Sequence, residues 1–403
     1  MPLSTGKAAG ALARGAYSQY VSANGAKRQV CEPAGDTGAR TPPAGPSMQL
    51  GVCFFMKPMG RIMSDEDLIS EAIVQGNWDA VLERGRSWVE GESAGPRAFF
   101  ALNAVYLLKG EFRLAWQMYP KCLQEDADII VVREWVDRLR KDHPTTSSVH
   151  LLYGLFLAQS GQSENSIVSY HEAIKHDPQS PYPHFFLAQI QQRMGRVDQA
   201  IKSYREAVKL DPAYIAARLN LGVAYQEQGQ LEMAIPQYRE IIKMRPEELL
   251  GHTNLACALA EQGKIDAAIV SYKEAITLDP KDGQVRYALG KVYEQKGRLD
   301  MALREYQEAM KTNPDFAPAA TAVGWILIEK GQIDAALDTF SVALKGNPED
   351  ADATFGIGRV YDIKRKPDIA GEHYQRALEL EKDPARKTAI LNFIDKILGG
   401  YHD

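Results

Sequence analysis

Histidines, cysteines and glycines in this 403-residue sequence fall close to several catalytic spacings and miss each of them. His171-Glu172-Ala173-Ile174-Lys175-His176 is one residue too long for a zinc-protease helix, whose histidines must stand four apart to face one ion. Five apart turns them about 140° from each other around a helix. Gly356-Ile357-Gly358 opens a dinucleotide-binding pattern, yet Tyr361 stands where the third glycine belongs and the triplet lies inside a helical stretch. It reads as close packing. Cys31, Cys53, Cys122 and Cys257 have neither disulfide-framework nor zinc spacing, a reducing compartment fits them, and nothing in the sequence activates Cys257. There is no Cys-x-x-Cys pair, Walker loop or Gly-x-Ser-x-Gly elbow. An enzyme is therefore not expected, nor a metal or a cofactor. Chemistry hidden in residues 64–146 is disfavoured further, because that stretch has no histidine before His143.

What the sequence does contain is a period. Pro178, Pro212, Pro246, Pro280, Pro314 and Pro348 recur every 34 residues, and Gly161, Gly195, Gly229, Gly263, Gly297 and Gly331 keep the same interval. Each period holds two apolar bursts at helical spacing, so the unit is a helix, a glycine turn, a second helix and a proline stop. Seven regular units result: 147–180, 181–214, 215–248, 249–282, 283–316, 317–350 and 351–384. In the third unit Gly222 and Ala234 are small where the paired helices must touch, Tyr238 is the large residue filling the gap to the next unit, and Pro246 ends the second helix. Departures are few. Arg365 replaces the turn glycine in the last unit, Pro236 lies inside a second helix whose first turns it is expected to bend, and Pro367 sits at a helix start.

These residues resemble the tetratricopeptide repeat, strongly over residues 147–384 and weakly back to residue 64. The resemblance implies an all-α fold: an α-solenoid of stacked antiparallel helix pairs forming a right-handed superhelix. It also implies that the second, fifth, ninth and twelfth positions of each first helix line a concave groove. Carried onto this chain, the groove candidates are Tyr182, Phe185, Gln189, Asn220, Val223, Asn254, Tyr287, Lys291, Trp325, Phe355 and Arg359, with Gln192, Leu219, Gln226, Thr253, Cys257, Glu294 and Ile328 beside them. Asn220 and Asn254 resemble the first rungs of the asparagine ladder in O-linked N-acetylglucosamine transferases, but Ala288, Ala322 and Gly356 follow and no transferase domain is present. The basic residues of a carboxylate clamp are missing from Phe185, Gln189, Asn220, Leu250 and Asn254, so capture of a free C-terminus by that route is not expected.

Around the regular array the chain divides further. Residues 1–62 are rich in Gly, Ala and Pro with a charge of +5, and read as a disordered or non-native extension. Met63 precedes Ser64-Asp65-Glu66-Asp67, a capped helix start, and is a candidate native first residue. Residues 63–145 hold two degenerate repeats around Gly76 and Gly110, then one unpaired amphipathic helix near Asp128–Lys141, which places a domain boundary near residue 145. Residues 146–384 are the seven repeats. Residues 385–403 form a capping helix and tail whose stripe of Ile390, Phe393, Ile394 and Ile397 is widened by Leu391 and Leu398 into a candidate dimerisation surface.

Residues 63–403 carry a charge of −10, a poor surface for nucleic acid, and no run of about 18 uncharged apolar residues offers a membrane span. The expected function is a cytoplasmic, non-catalytic adaptor that binds an extended or helical protein segment in the groove of residues 181–361. The rival is a structural protein that self-assembles through the degenerate repeats or the terminal helix.

Overall fold

A computed structural model describes residues 64–90, 95–123 and 125–400. Residues 1–62, read above as an extension, and Met63 lie outside the described residues. All regular structure among the described residues is helical. The chain divides into two units at Asp211 and Pro212.

The first unit contains α1 (Asp65–Val74), α2 (Trp78–Glu90), α3 (Pro96–Leu108), α4 (Phe112–Met118), α5 (Pro120–Leu123), α6 (Asp126–Asp142), α7 (Ser147–Gln159), α8 (Ser163–His176), α9 (Pro181–Arg193) and α10 (Val197–Leu210). The expected capping box opens it: the Asp67 amide donates to Ser64 Oγ at 3.1 Å, and the Ser64 amide donates back to the Asp67 carboxylate at 3.1 Å. In the first repeat the usual sizes are exchanged. Large Ile69 stands where later repeats have a small residue, Gly85 stands where they have a ring, and Leu102 closes over Gly85. The half-repeat helix α6 buries Val132, Trp135, Val136 and Leu139, as its periodicity predicts. It is not left alone in the stack: Trp135 Nε1 donates to Ser70 Oγ of α1 at 3.1 Å, and α6 also packs on α3 and α7.

The second unit contains α11 (Ile215–Glu227), α12 (Leu231–Met244), α13 (Leu249–Glu261), α14 (Ile265–Leu278), α15 (Gly283–Gln295), α16 (Leu299–Thr312), α17 (Ala317–Glu329), α18 (Ile333–Gly346), α19 (Ala351–Ile363), α20 (Pro367–Leu380) and α21 (Pro384–Gly400). Each odd helix pairs with the even helix that follows it, up to α20, and first helices of neighbouring repeats approach one another. The pairing is decided by size. A methyl group on Gly222 would lie 2.5 Å from the ring of Tyr238, and one on Gly290 would lie 2.5 Å from Tyr306. The large residue therefore seats on the glycine of its own repeat, sixteen positions earlier, rather than chiefly filling the gap to the next unit. Phe340 does both, meeting Gly324 of its own repeat and Gly356 of the next.

Helix ends follow the punctuation. The turn glycines adopt positive φ, as at Gly229 (72°) and Gly331 (73°), and each second helix stops two residues before its proline, α12 at Met244 ahead of Pro246. Arg365 takes the turn position at φ 56°, alone in positive φ among the described non-glycine residues. Pro367 occupies the first position of α20, while α12 runs unbroken through Pro236.

Two further series hold the repeats in register. The Pro144 carbonyl accepts from His150 Nε2 at 2.8 Å, Pro212 from Arg218 Nη2 at 2.9 Å, Pro246 from His252 Nε2 at 2.8 Å and Pro280 from Arg286 Nε at 3.2 Å. Each proline turn is thus clasped by the helix it introduces, and both histidines carry their proton on Nε2 to serve a carbonyl. Between repeats, Lys296, Lys330 and Lys364 follow first helices and reach Asp266, Asp300 and Asp334 at the start of the preceding second helices. The lysine holds each carboxylate below its usual range. These aspartates are exposed, so salt screens the pairs and they guide register more than they stabilise.

Two stability outcomes follow from these contacts. Gly222→Ala has no room, since Tyr238 is fully enclosed; thermal or denaturant unfolding should show a loss of about 1–3 kcal/mol, with helicity retained. Arg365→Gly relieves a left-handed residue whose side chain is exposed, and should raise stability by about 1 kcal/mol. An unchanged or lowered midpoint for this variant would show that the turn carries no strain.

Candidate binding face

The wall positions are set from behind by buried tyrosines. Tyr204 donates to Gln192 Oε1 at 2.9 Å, Tyr238 to Gln226 Oε1 at 3.1 Å and Tyr306 to Glu294 Oε2 at 2.7 Å. In these three repeats the ring that fills the interior spends its hydroxyl on the twelfth residue of its own first helix, whereas in the fourth, with Ala260 at that place, Tyr272 pairs with Cys257. Burial and, for Tyr306, the Glu294 carboxylate raise these phenols above their ordinary range at Tyr238 and Tyr306. In the sixth repeat both partners change together: Phe340 replaces the tyrosine and Ile328 the acceptor.

In the first unit, Tyr182 and Gln189 are half-buried. Phe185, expected on the wall, is 0% exposed, with its ring centroid 4.9 Å from that of Phe186 and 6.0 Å from that of Tyr204. It supports the face from inside and offers no surface, and neighbouring Phe186 is buried too, near Tyr170.

In the second unit the candidates separate into three groups. Asn220 and Val223 are buried, and Asn254 turns its Nδ2 onto the Leu250 carbonyl at 2.8 Å, so the two asparagines are not presented alike. Gln226, pinned by Tyr238, donates from Nε2 to Glu261 Oε1 at 2.8 Å beside Cys257. Burial, with Glu261 beside it, pushes the Cys257 thiol up to about 12. Phe355 and Arg359 are engaged by α21: Phe393 packs on Phe355 at 5.2 Å and on Tyr374 at 5.6 Å, and the Arg359 guanidinium lies 4.7 Å over the Phe393 ring. The terminal helix therefore covers the two wall residues at its end of the unit.

What stays open are Tyr287, Lys291, Glu294, Trp325 and Ile328 on α15 and α17, each half-buried, with Leu250 of α13 exposed. The rings stand on firm packing. Tyr287 contacts Tyr306 (5.4 Å) and Phe316 (5.3 Å), and Trp325 contacts Phe340 (5.5 Å) and Phe355 (6.1 Å). Leu250 was outside the sequence candidates, although its second-position place in α13 marks it. No group of three or more His, Cys, Asp or Glu among the described residues could hold a metal ion, and no described helix is long and apolar enough to cross a membrane.

Stacked 34-residue helix hairpins with wall residues repeating in phase define a helical-repeat protein. Models described as TPR repeat match residues 193–229 and 257–297, and models described as tetratricopeptide repeat match 215–248, 283–316 and 322–386. The chain is a tetratricopeptide repeat protein. Among solved structures it is similar to MamA (27% identity over 41% of this chain and 96% of that one, TM-score 0.38). It is also similar to PilF of Pseudomonas aeruginosa (19%, 53% and 96%, TM-score 0.46) and to the Cut9–Hcn1 complex (18%, 81% and 68%, TM-score 0.47). No curated protein matches it.

The state of Cys257 is directly testable. A thiol titrating near 12 is almost wholly protonated at pH 8, so peptide mapping after brief iodoacetamide treatment should find Cys257 unmodified in the native protein and modified in denaturant. Rapid native labelling would mean an activated thiol on this face.

Proposed function

We propose that the second unit is a non-catalytic protein-binding wall, and that this protein is a cytoplasmic scaffold holding an extended or helical segment of a partner protein. Membership of the tetratricopeptide repeat proteins, which commonly serve as protein-interaction scaffolds, supports the class. The observation that carries the site is the half-buried set on α15 and α17, where two anchored aromatic rings, Tyr287 and Trp325, keep part of their surface free and Lys291 follows Tyr287 by one turn of α15. Aromatic residues fixed from behind lose little entropy on contact, and a flanking cation adds direction, which is the chemistry of an interaction hot spot. The partner segment best suited to it is apolar with a carboxylate at its centre. The acidic balance of the repeats argues against nucleic acid as partner.

Photo-crosslinking from inside cells separates the wall from the rest of the surface. p-Benzoylphenylalanine placed at Lys291 or Ile328 should join a discrete partner protein, whereas the same group at Val270, 59% exposed on a second helix, should not. Capture from Val270 alone would overturn the assignment of the face. Capture chiefly of the chain itself from Lys291 would favour the self-assembling rival.

A further inference from the structure

Within the second unit, Trp325 of the wall and helix α21 are connected by two separate sets of contacts. The first is a row of rings. The Trp325 ring lies 6.1 Å from that of Phe355, Phe355 lies 5.2 Å from Phe393 of α21, and Ile390 of the same helix is buried in the cluster that Phe355 forms with Tyr374. The second set is polar. Arg386 of α21 stands 3.5 Å from the Asp352 carboxylate at the start of α19 and 3.3 Å from Glu381. Burial raises the Asp352 carboxyl, and Arg386 and the Trp325 indole N–H oppose this by favouring its charged form. Trp325 therefore rests on Phe340 of its own repeat and on two residues of the next, Asp352 and Phe355, that α21 holds in place. Tyr287, the other ring of the wall, packs on Tyr306 and Phe316 of its own repeat.

We propose that Trp325 couples the binding wall to α21. With α21 seated, Phe355 and Asp352 hold the indole in the half-exposed place where a partner meets it; by linkage, a partner held against Trp325 tightens α21 in return. This rests on the reading of the wall given above. Its physical basis is rotamer freedom. An indole supported on one face alone can turn about its two side-chain torsions, whereas a second packing surface and a carboxylate beside the N–H remove that freedom before the partner arrives, so less entropy is lost on contact. Asp352, Phe355, Arg386 and Phe393 are then positioning residues that act on recognition through Trp325 without touching the partner themselves. The two contact sets work together, since the ring row fixes the face of the indole and the carboxylate fixes its edge.

Fluorine NMR of the full chain labelled with fluorotryptophan reads the ring directly. Trp325→Phe identifies the line to follow, and Trp78, Trp88, Trp116 and Trp135, all in the first unit, report that the chain stays folded. Arg386→Ala and Phe393→Ala should each move the Trp325 line by more than its width and enlarge its shift between light and heavy water, the sign of greater exposure. Arg386→Lys should return the line toward its wild-type position, a rescue that a merely structural role for Arg386 does not give. Leu391→Ala, on the same helix but at a residue 48% exposed, should leave the line in place. Where Phe393→Ala disturbs the other four lines, the milder Phe393→Leu replaces it. A Trp325 line indifferent to both Arg386→Ala and the Phe393 variant, or moved as far by Leu391→Ala, overturns the proposal. In cells, capture of the partner by p-benzoylphenylalanine at Lys291 should fall at least about fivefold when the Phe393 variant is added, and undiminished capture also overturns it. No capture from Lys291 in the otherwise wild-type chain, with a Trp325 line that still responds to Arg386→Ala, would sink the partner-binding reading and leave the hold of α21 on Trp325 standing.

Discussion

One contact makes the rest of this structure possible: an aromatic ring from the second helix of a repeat packed against a glycine or alanine in the first. At Gly222, Gly290 and Gly324 the ring sits where a β-carbon would be, which draws the two helix axes together and leaves the hairpin a single way to close. Everything else in the repeat is subordinate to that closure. The ring is fully enclosed at Tyr204, Tyr238 and Tyr306, where its hydroxyl finds the twelfth residue of the same first helix; in the fourth repeat that residue is Ala260, and Tyr272 pairs with Cys257 instead. In the sixth repeat the hydroxyl and the acceptor are both absent, Phe340 standing with Ile328.

Constraints of that kind are what a sequence displays. The small residue, the ring, the turn and the proline recur because each hairpin poses the same packing problem, and from their spacing the helix pairs, their limits and even the odd helix α6 were readable to within a few residues. Arg365 was visible as an anomaly for the same reason, and its φ of 56° is the backbone obeying the repeat against the preference of the side chain. Where the packing problem differs, the pattern loses its meaning. At Gly85, which stands at the ring position of the first repeat, Leu102 of α3 closes over the space that a ring takes in later repeats. Likewise α6 looked unpaired, yet it packs on the helices before and after it in the chain, α5 and α7, and also on α1 and α3.

The binding face was less legible, and for a physical reason. Position in the repeat says which way a residue points, but whether it reaches solvent depends on what stands on the neighbouring helix. Phe185 and Phe355 occupy equivalent places and both are buried, one beneath Phe186 and Tyr204, the other beneath Phe393 of the terminal helix. Tyr287 occupies the same place and is half-buried, its contacts with Tyr306 and Phe316 leaving part of the ring uncovered. Neither fate is encoded in the residue itself. Leu250 makes the converse point, being exposed at a second position that in the last repeat holds Asp352 near Arg386.

The ninth position shows what this leaves for recognition. Through the second unit it reads Val223, Cys257, Lys291, Trp325, Arg359, five chemical types at one structural place, while the ring position hardly varies at all. A stack that tolerates any residue there has no stake in its identity, so the variety is available to a ligand. Availability is nevertheless local. Val223 and Cys257 are buried, the Cys257 thiol is held protonated, and Arg359 is committed to Phe393 and Asp362. Among these five, only Lys291 and Trp325 combine a distinctive side chain with free surface, so the proposed reading places discrimination in the fifth and sixth repeats. On that proposed reading a partner needs only a short recognition segment of about two repeat widths, and affinity beyond it would come from contacts outside the inner face.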